Sequence, residues 1–340
     1  MNLPPLLYTV TPRFMSTSTQ LHIRPSATLI VAAPIPSNTQ KQDQCDYRIL
    51  MLKRNGKSSF VHAHVFPGGV VDQNDDEAHW KKVLPSTLPR TQDMLTHKIC
   101  AIRETFEESG LLLTTPAAHT VPELDTEIWR HKVHNDASQF KHMCELYKLQ
   151  PAVDRLVPFA NWITPAFEKK RFNTLFFLTV LHQTVDEEHK ETVKVSADGR
   201  ETVQMDWFNP REALDNYDQK KIVLFPPQWY ALRCMNEISQ HKDLAANVGV
   251  GALRTTSGDP ITIRPQLHNS DDGDNSNYAK YLAYPGDESY STLGEDVRSD
   301  FVQIPQAKKG DRHRLYFKDR MQEVSLERSR SVTELVKSSL

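Results

Sequence analysis

The chain has 340 residues, 39% of them hydrophobic and 25% charged, with a formal net charge of −2. That length holds one large domain or two small ones, and the composition is that of a globular protein with a packed core. The near-neutral balance excludes a global field that would gather nucleic acid or an anionic membrane, so an anionic substrate must be held by local cations or a metal.

Residues 1–42 contain no Asp or Glu and carry Arg13, Arg24 and several Ser and Thr around Met15. Acid-poor, Ser-rich, Arg-bearing composition fits a mitochondrial transit peptide, with a plain disordered end as the alternative. Residues 1–22 are set apart on this ground. The apolar run Pro25–Pro34 and the run Tyr47–Lys53 predict two strands, and Arg54-Asn55-Gly56-Lys57 predicts a tight turn. Ser59–Phe66 alternates as a third strand and runs into Pro67-Gly68-Gly69, where glycines permit backbone paths other residues resist. Residues 72–92 are polar and acidic and predict a surface loop, with a short helix around Glu77–Val83.

From Asp93 a helix is expected, because Ile99, Ile102 and Phe106 share one face and Gly110 stops it. A strand is expected to begin at Leu111–Leu113, and residues 123–150 predict further helix. Leu156–Thr164, Arg171–Leu181 and Val203–Phe208 predict strands, the second central because it is strongly apolar. Helices are expected from Pro210 and from Pro226, with prolines in the first turn. Beyond residue 245, Ile261–Pro265, Tyr278–Tyr284 and Arg312–Lys318 predict a small β-rich appendage over 246–320, followed by a basic, Ser-rich tail over 321–340. The tail closes on Ser338-Ser339-Leu340, which keeps two of the three residues of a peroxisomal address. The expected compartment is therefore mitochondrion or peroxisome, with an import receptor as partner if these segments are addresses. No apolar run reaches the roughly 18 residues needed to span a bilayer. Cys45, Cys100, Cys144 and Cys234 form no C-x-x-C pair and suggest neither zinc nor disulfides.

Chemistry concentrates on Arg103-Glu104-Thr105-Phe106-Glu107-Glu108-Ser109-Gly110. Glu104, Glu107 and Glu108 stand at i, i+3 and i+4, on one helical face. Each like-charge pair costs about 0.2–0.5 kcal/mol on an exposed helix, and the negative helix end adds to the cost. A hard divalent cation offsets both, since carboxylate oxygens suit Mg²⁺ and Mn²⁺. A solvated acidic face is the bland alternative. What decides against it is Phe66-Pro67-Gly68-Gly69 upstream, which makes a unit of strand, Gly turn, loop and carboxylate helix.

This unit resembles the Nudix box, G-x5-E-x7-R-E-U-x-E-E-x-G-U with U apolar. Arg103–Leu111 fits the second half, with Thr105 in place of the first apolar residue. The first half departs: Gly69 and Arg103 are 34 positions apart, against 14 in the pattern, so the box is split by about 20 residues. Glu77 is the candidate for its first glutamate. The split, together with Arg24–Thr28, His64–Asp72, Trp162–Pro165, Arg171–Phe177, Pro226–Tyr230 and Tyr284–Glu288, is similar to the nucleoside diphosphate-linked moiety X motif 19 branch of the Nudix hydrolases.

The resemblance implies an α/β/α sandwich with a mixed sheet over 23–245. It also implies metal-dependent cleavage of coenzyme A or acyl-CoA to 3′,5′-ADP and (acyl-)4′-phosphopantetheine. It implies Arg103, Glu104, Glu107 and Glu108 as the catalytic set and the three glutamates as ligands of Mg²⁺ or Mn²⁺; beside them Gly68, Gly69, Arg54 and Arg171 are the expected substrate contacts. The general base is one of the three glutamates or a distal Glu188, Glu191 or Glu201. Lys53, Arg54 and Lys57 either contact phosphates or form a solvated turn. Arg171, with Lys169 and Lys170, either meets the 3′-phosphate or lies in an exposed loop. His62 and His64, without a third ligand, read as structural. A different nucleoside diphosphate derivative (NADH, a nucleotide sugar or capped RNA) is the second reading, with RNA disfavoured by the charge. A non-catalytic binding module is the third.

Overall fold

The computed structural model describes residues 23–36, 44–54, 63–84, 94–182, 202–255, 257–270, 277–291, 307–319 and 321–329. The transit-like segment 1–22, the Asn55-Gly56 turn, Lys57, His62, Glu188, Glu191, Glu201 and the terminal tripeptide lie outside them. The first strand, β1 (Arg24–Pro34), is buried along nearly its whole length. It pairs in parallel with β8 (Phe172–Val180), from Arg24 opposite Phe172 to Ala32 opposite Val180. On its other edge β1 meets β2 (Tyr47–Arg54) near one end and β4 (Gly68–Val70) near the other, both antiparallel. The short β3 (His64–Val65) and β9 (Thr202–Phe208) pair with β2, and β7 (Val157–Ile163) pairs with β8. The resulting sheet is mixed, eight-stranded and central. A strand covered on both faces must be apolar throughout rather than alternating, as Arg171–Leu181 is.

Alternate residues of these strands feed two cores. Ile30, Ile49, Met51, Phe176 and Leu178 pack with α5 (Pro210–Asp218), α6 (Pro226–Met235) and α7 (His241–Asn247). Leu29, Val31, Leu50, Leu175 and Phe177 pack with α2 (Leu95–Ser109), α3 (Thr126–Asn135) and α4 (Ser138–Tyr147). This is the α/β/α sandwich expected. The helix boundaries have local causes: Asn209 and Glu212 form a capping box for α5, and prolines occupy the first turns of α5 and α6. Ile99, Ile102 and Phe106, the expected apolar face of α2, are fully buried. All four cysteines are buried and free. Among the described residues no helix is long and apolar enough to cross a membrane.

Some local expectations shift. The strand expected from Leu111–Leu113 is instead the two-residue β5 (Thr114–Thr115), paired with β6 (Gln150–Pro151); Leu112 and Leu113 are spent on the core. The short helix expected around Glu77–Val83 is α1 (Glu77–Trp80), with Trp80 buried against Phe140. The segment Ile261–Pro265 does not join the appendage: β10 (Thr262–Ile263) extends the central sheet beside β7. The appendage is an antiparallel sheet of β11 (Gln266–Asn269), β12 (Lys280–Ala283), β13 (His313–Lys318) and β14 (Glu323–Arg328). Its last strand lies in the stretch read as a tail. Leu282, Tyr284 and Leu315 enter the same core as α6, where Tyr284 stacks edge-on against Trp162 and Tyr230. A buried ion pair, Arg314 Nε to Asp287 Oδ2 at 2.8 Å, ties β13 to the turn after β12.

Candidate active site

The site assembles where β4 lies beside β1 and α2 packs across both. Gly68 and Gly69 are needed there by space. A Cβ on Gly68 would sit 2.3 Å from the Ala27 carbonyl oxygen of the neighbouring strand, and one on Gly69 would sit 2.4 Å from the carboxyl carbon of Glu104. The backbone of Gly69 is thus the floor under the Glu104 carboxylate. The Gly68 amide donates to Glu108 Oε2 at 2.9 Å, joining the turn to the last turn of the helix. Gly69→Ala is expected to lower kcat by about 10²-fold through displacement of Glu104. Stability should change much less; steady-state kinetics beside a melting curve checks both.

Arg103 organises the carboxylates. It is buried, with its Nη1 donating to Glu107 Oε1 at 2.6 Å and to Glu104 Oε1 at 3.0 Å. Its other edge grips Asp75 in a two-point contact, Nε to Oδ1 at 2.8 Å and Nη2 to Oδ2 at 2.7 Å. A planar guanidinium suits such paired recognition. Burial works against the charge on Arg103, but the Asp75 bonds and the surrounding carboxylates hold its pKa above the usual arginine value.

Asp75 is the residue that sequence reasoning missed. It is the sixth residue after Gly69, the place the Nudix pattern gives its first glutamate, with Asp standing there instead. Glu77, the expected candidate, is half-exposed and lies near the exposed Lys81. The signal was available: counting forward from Gly69, rather than back from Arg103, lands on Asp75. The interruption therefore begins after Asp75, and the seven residues the pattern requires before Arg103, Thr96–Ile102, form the first two turns of α2. Asp75 is held by a short 3-10 turn, Gln73–Asp75, where Asp72 accepts from the Asn74 amide at 2.8 Å and the Asp72 amide donates to Asp75 Oδ2 at 2.9 Å.

The helix itself is adapted to its load. Thr105, the departure from the pattern, is fully buried, and its hydroxyl donates back to the Ala101 carbonyl at 2.7 Å. Gly110 ends α2 in the left-handed region at φ 74° and bonds the Phe106 carbonyl. Burial of Glu104 pushes its pKa up to about 7, against the lowering effect of Arg103, with Glu107 adding to the rise. One guanidinium cannot neutralise so many buried carboxylates.

The other expected contacts, Arg54 and Arg171, stand on other elements of the fold. Arg54 ends β2, where its amide bonds the Ala63 carbonyl at 3.0 Å. Arg171 is buried, and its Nε donates to the Thr164 carbonyl at 3.1 Å, across the β7–β8 turn that exposes Lys169 and Lys170. His64 is buried edge-on against Phe208, and burial lowers its pKa to about 4, as suits a packing histidine.

Among the described residues no three His, Cys, Asp or Glu converge as a ready metal cage. Glu104 and Glu107 turn toward Arg103, and Glu108 turns toward the Gly68 amide. The donor set nevertheless fits a hard divalent ion. It is all carboxylate oxygen, it gathers several acidic side chains around one helix, and the Glu104 carboxylate lies directly over Gly69, where a side chain would displace it.

The family model described as NUDT19 Nudix domain matches residues 23–98 and 86–235. The chain is 33% identical over 264 residues to acyl-coenzyme A diphosphatase NUDT19 of Xenopus laevis, spanning 61% of this chain and 67% of that protein. It is 30% identical over 246 residues to the protein of the same name from Homo sapiens, spanning 58% and 63% respectively. Among solved structures, a Nudix hydrolase from Alicyclobacillus acidocaldarius superposes with a TM-score of 0.54 at 20% identity, covering 67% of this chain and 97% of that one. At that identity the likeness speaks to the fold.

Proposed function

Because this chain belongs to the NUDT19 Nudix domain family, we propose that it hydrolyses the pyrophosphate of coenzyme A and acyl-CoA to 3′,5′-ADP and (acyl-)4′-phosphopantetheine. The observation that carries the reading is the Asp75–Arg103 clasp, which presents Glu104, Glu107 and Glu108 beside the Gly68-Gly69 turn. The relatives named acyl-coenzyme A diphosphatase support the substrate.

Water adds to one phosphorus of the pyrophosphate, and the bridging oxygen leaves with the other. Glu104, Glu107 and Glu108 are the residues that would hold Mg²⁺ or Mn²⁺. Such an ion, when bound, supplies charge neutralisation of the pyrophosphate and lowers the pKa of the attacking water. Arg103 would keep Glu104 and Glu107 in place for catalysis. Gly68 and Gly69 offer a flat backbone wall where a phosphate can approach. Arg54 would meet substrate phosphate from the end of β2. Arg171 would act through the β7–β8 turn, which carries Lys169 and Lys170. The mitochondrial or peroxisomal address is part of the same proposal, and fluorescent fusions of the full chain test it.

The deciding experiment is a substrate panel of CoA, acyl-CoA, NADH and ADP-ribose with Mg²⁺ or Mn²⁺, followed by chromatography. Two products from CoA and acyl-CoA are expected, and none after chelation. Turnover of NADH or ADP-ribose without turnover of CoA would remove the CoA reading and keep the hydrolase. No turnover of any substrate would favour a binding module.

A further inference from the structure

We infer that Arg130, which lies outside the Nudix box, is a positioning residue for Glu107 and Glu108. It projects from α3, is buried, and reaches the last turn of α2. Its Nε donates to the Glu107 carbonyl at 2.8 Å, and its Nη2 donates to the Glu108 carbonyl at 2.7 Å. These are the backbone carbonyls of two of the proposed metal ligands.

The need for such a residue follows from the helix. The last carbonyls of a helix have no amide partner within it and mark its negative end. Here that end also bears two carboxylates, and both it and they are shielded from water. Without a partner the turn would open to relieve the charge, carrying both side chains with it. Arg130 supplies two donors and a full positive charge at the point of greatest need. The fork geometry matters, because one planar group spans two successive carbonyls where an ammonium would satisfy one at a time.

Gly110 fits the same arrangement. A Cβ there would be in ordinary contact with Arg130 Nη1 at 3.4 Å, so glycine is required by the left-handed turn while the guanidinium packs directly against it. The next turn of α3 places His134 Nδ1 3.8 Å from Glu107 Oε2. The helix α3 thus braces the site from backbone and side-chain directions. Glu107 is then set from three sides: its carboxylate by Arg103 and the nearby His134, and its backbone carbonyl by Arg130.

The inference rests on the proposed metal-dependent hydrolase, and its test separates the two. Mn²⁺ binding to the full chain is measured without substrate by electron paramagnetic resonance, for wild type, Arg130→Met and Arg130→Lys. Hydrogen exchange of the α2 amides is followed in the same samples without metal. The expected result for Arg130→Met is about tenfold or more weaker Mn²⁺ binding, as for other groups that orient metal ligands. Exchange should be faster in the last turn of α2 but not around Ile99–Ile102. Arg130→Lys should recover part of both. In turnover, kcat should fall with KM for acyl-CoA little changed.

Wild type that binds no Mn²⁺ would defeat the metal-hydrolase reading, and unchanged exchange in Arg130→Met would then defeat the positioning role as well. Wild type that binds, with an Arg130→Met that binds equally well, would overturn the inference alone. Weaker binding accompanied by faster exchange throughout the sheet would also overturn it, by making Arg130 a general core residue.

Discussion

Glu108→Gln is expected to lower kcat for acyl-CoA hydrolysis by about a thousandfold while leaving the fold intact. The Glu108 side chain is buried and accepts the Gly68 amide at 2.9 Å. Gln is of the same size and retains a carbonyl oxygen to accept that bond, so the turn keeps its anchor. What is lost is one negative charge and one hard ligand for the cation. Metal stabilisation of the transition state is worth several kcal/mol, and about 1.4 kcal/mol is tenfold in rate. The measurement is turnover beside a thermal melt and far-ultraviolet circular dichroism. Glu145→Gln on α4, at an exposed ion pair with Lys141, is the control and should fall within about 0.5 kcal/mol of wild type in stability with kcat unchanged. A Glu108→Gln enzyme as fast as wild type would sink the assigned site.

Asp75→Ala is expected to destabilise the protein by about 3 kcal/mol and to reduce activity at the same time. Asp75 and Arg103 are both buried, and removing one partner of such a pair leaves an uncompensated charge, at a cost of about 3–5 kcal/mol. The lower end applies because Glu104 and Glu107 still face the guanidinium. Activity falls because Arg103, no longer held at its far edge, is free to follow those glutamates. Asp75→Glu restores the residue of the pattern but places an extra methylene at a position 1% exposed, so a smaller loss of about 1–3 kcal/mol is expected. Urea midpoints of the two variants give the ordering. An Asp75→Ala variant with the wild-type midpoint would show that the clasp does not hold the site together.

Much of the site was legible because its parts are local. The i, i+3, i+4 carboxylates, the apolar face Ile99–Ile102–Phe106 and the terminal Gly110 all belong to one helix, and helical geometry follows from spacing alone. The Gly68-Gly69 turn was legible as a turn, but not its reason. That reason is the Ala27 strand on one side and the Glu104 carboxylate on the other, both brought in by pairing. Asp75 is legible only by counting forward from Gly69, because the extra chain after it breaks the spacing back from Arg103, and its pairing with Arg103 across that chain is not local. Arg130 carries no local mark at all: an arginine between Trp129 and His131 looks like any solvated helix residue until α3 is laid against α2. Arg171 shows the converse, a basic run that reads as a phosphate site while its side chain turns inward to Thr164.

The same division runs through the fold. By itself the sequence determined the strands Pro25–Pro34 and Arg171–Leu181, the helices with proline or asparagine at their starts, and the carboxylate helix, since each follows from propensity, periodicity or a capping residue within a few positions. Only the tertiary structure decided that β10 extends the central sheet, that β14 completes the second sheet, and that Asp75 and Arg130 clamp the carboxylate helix from two sides. Those outcomes depend on which surfaces meet, and for residues far apart in the chain that is settled by burial of charge and shape together, which no window of neighbouring residues contains.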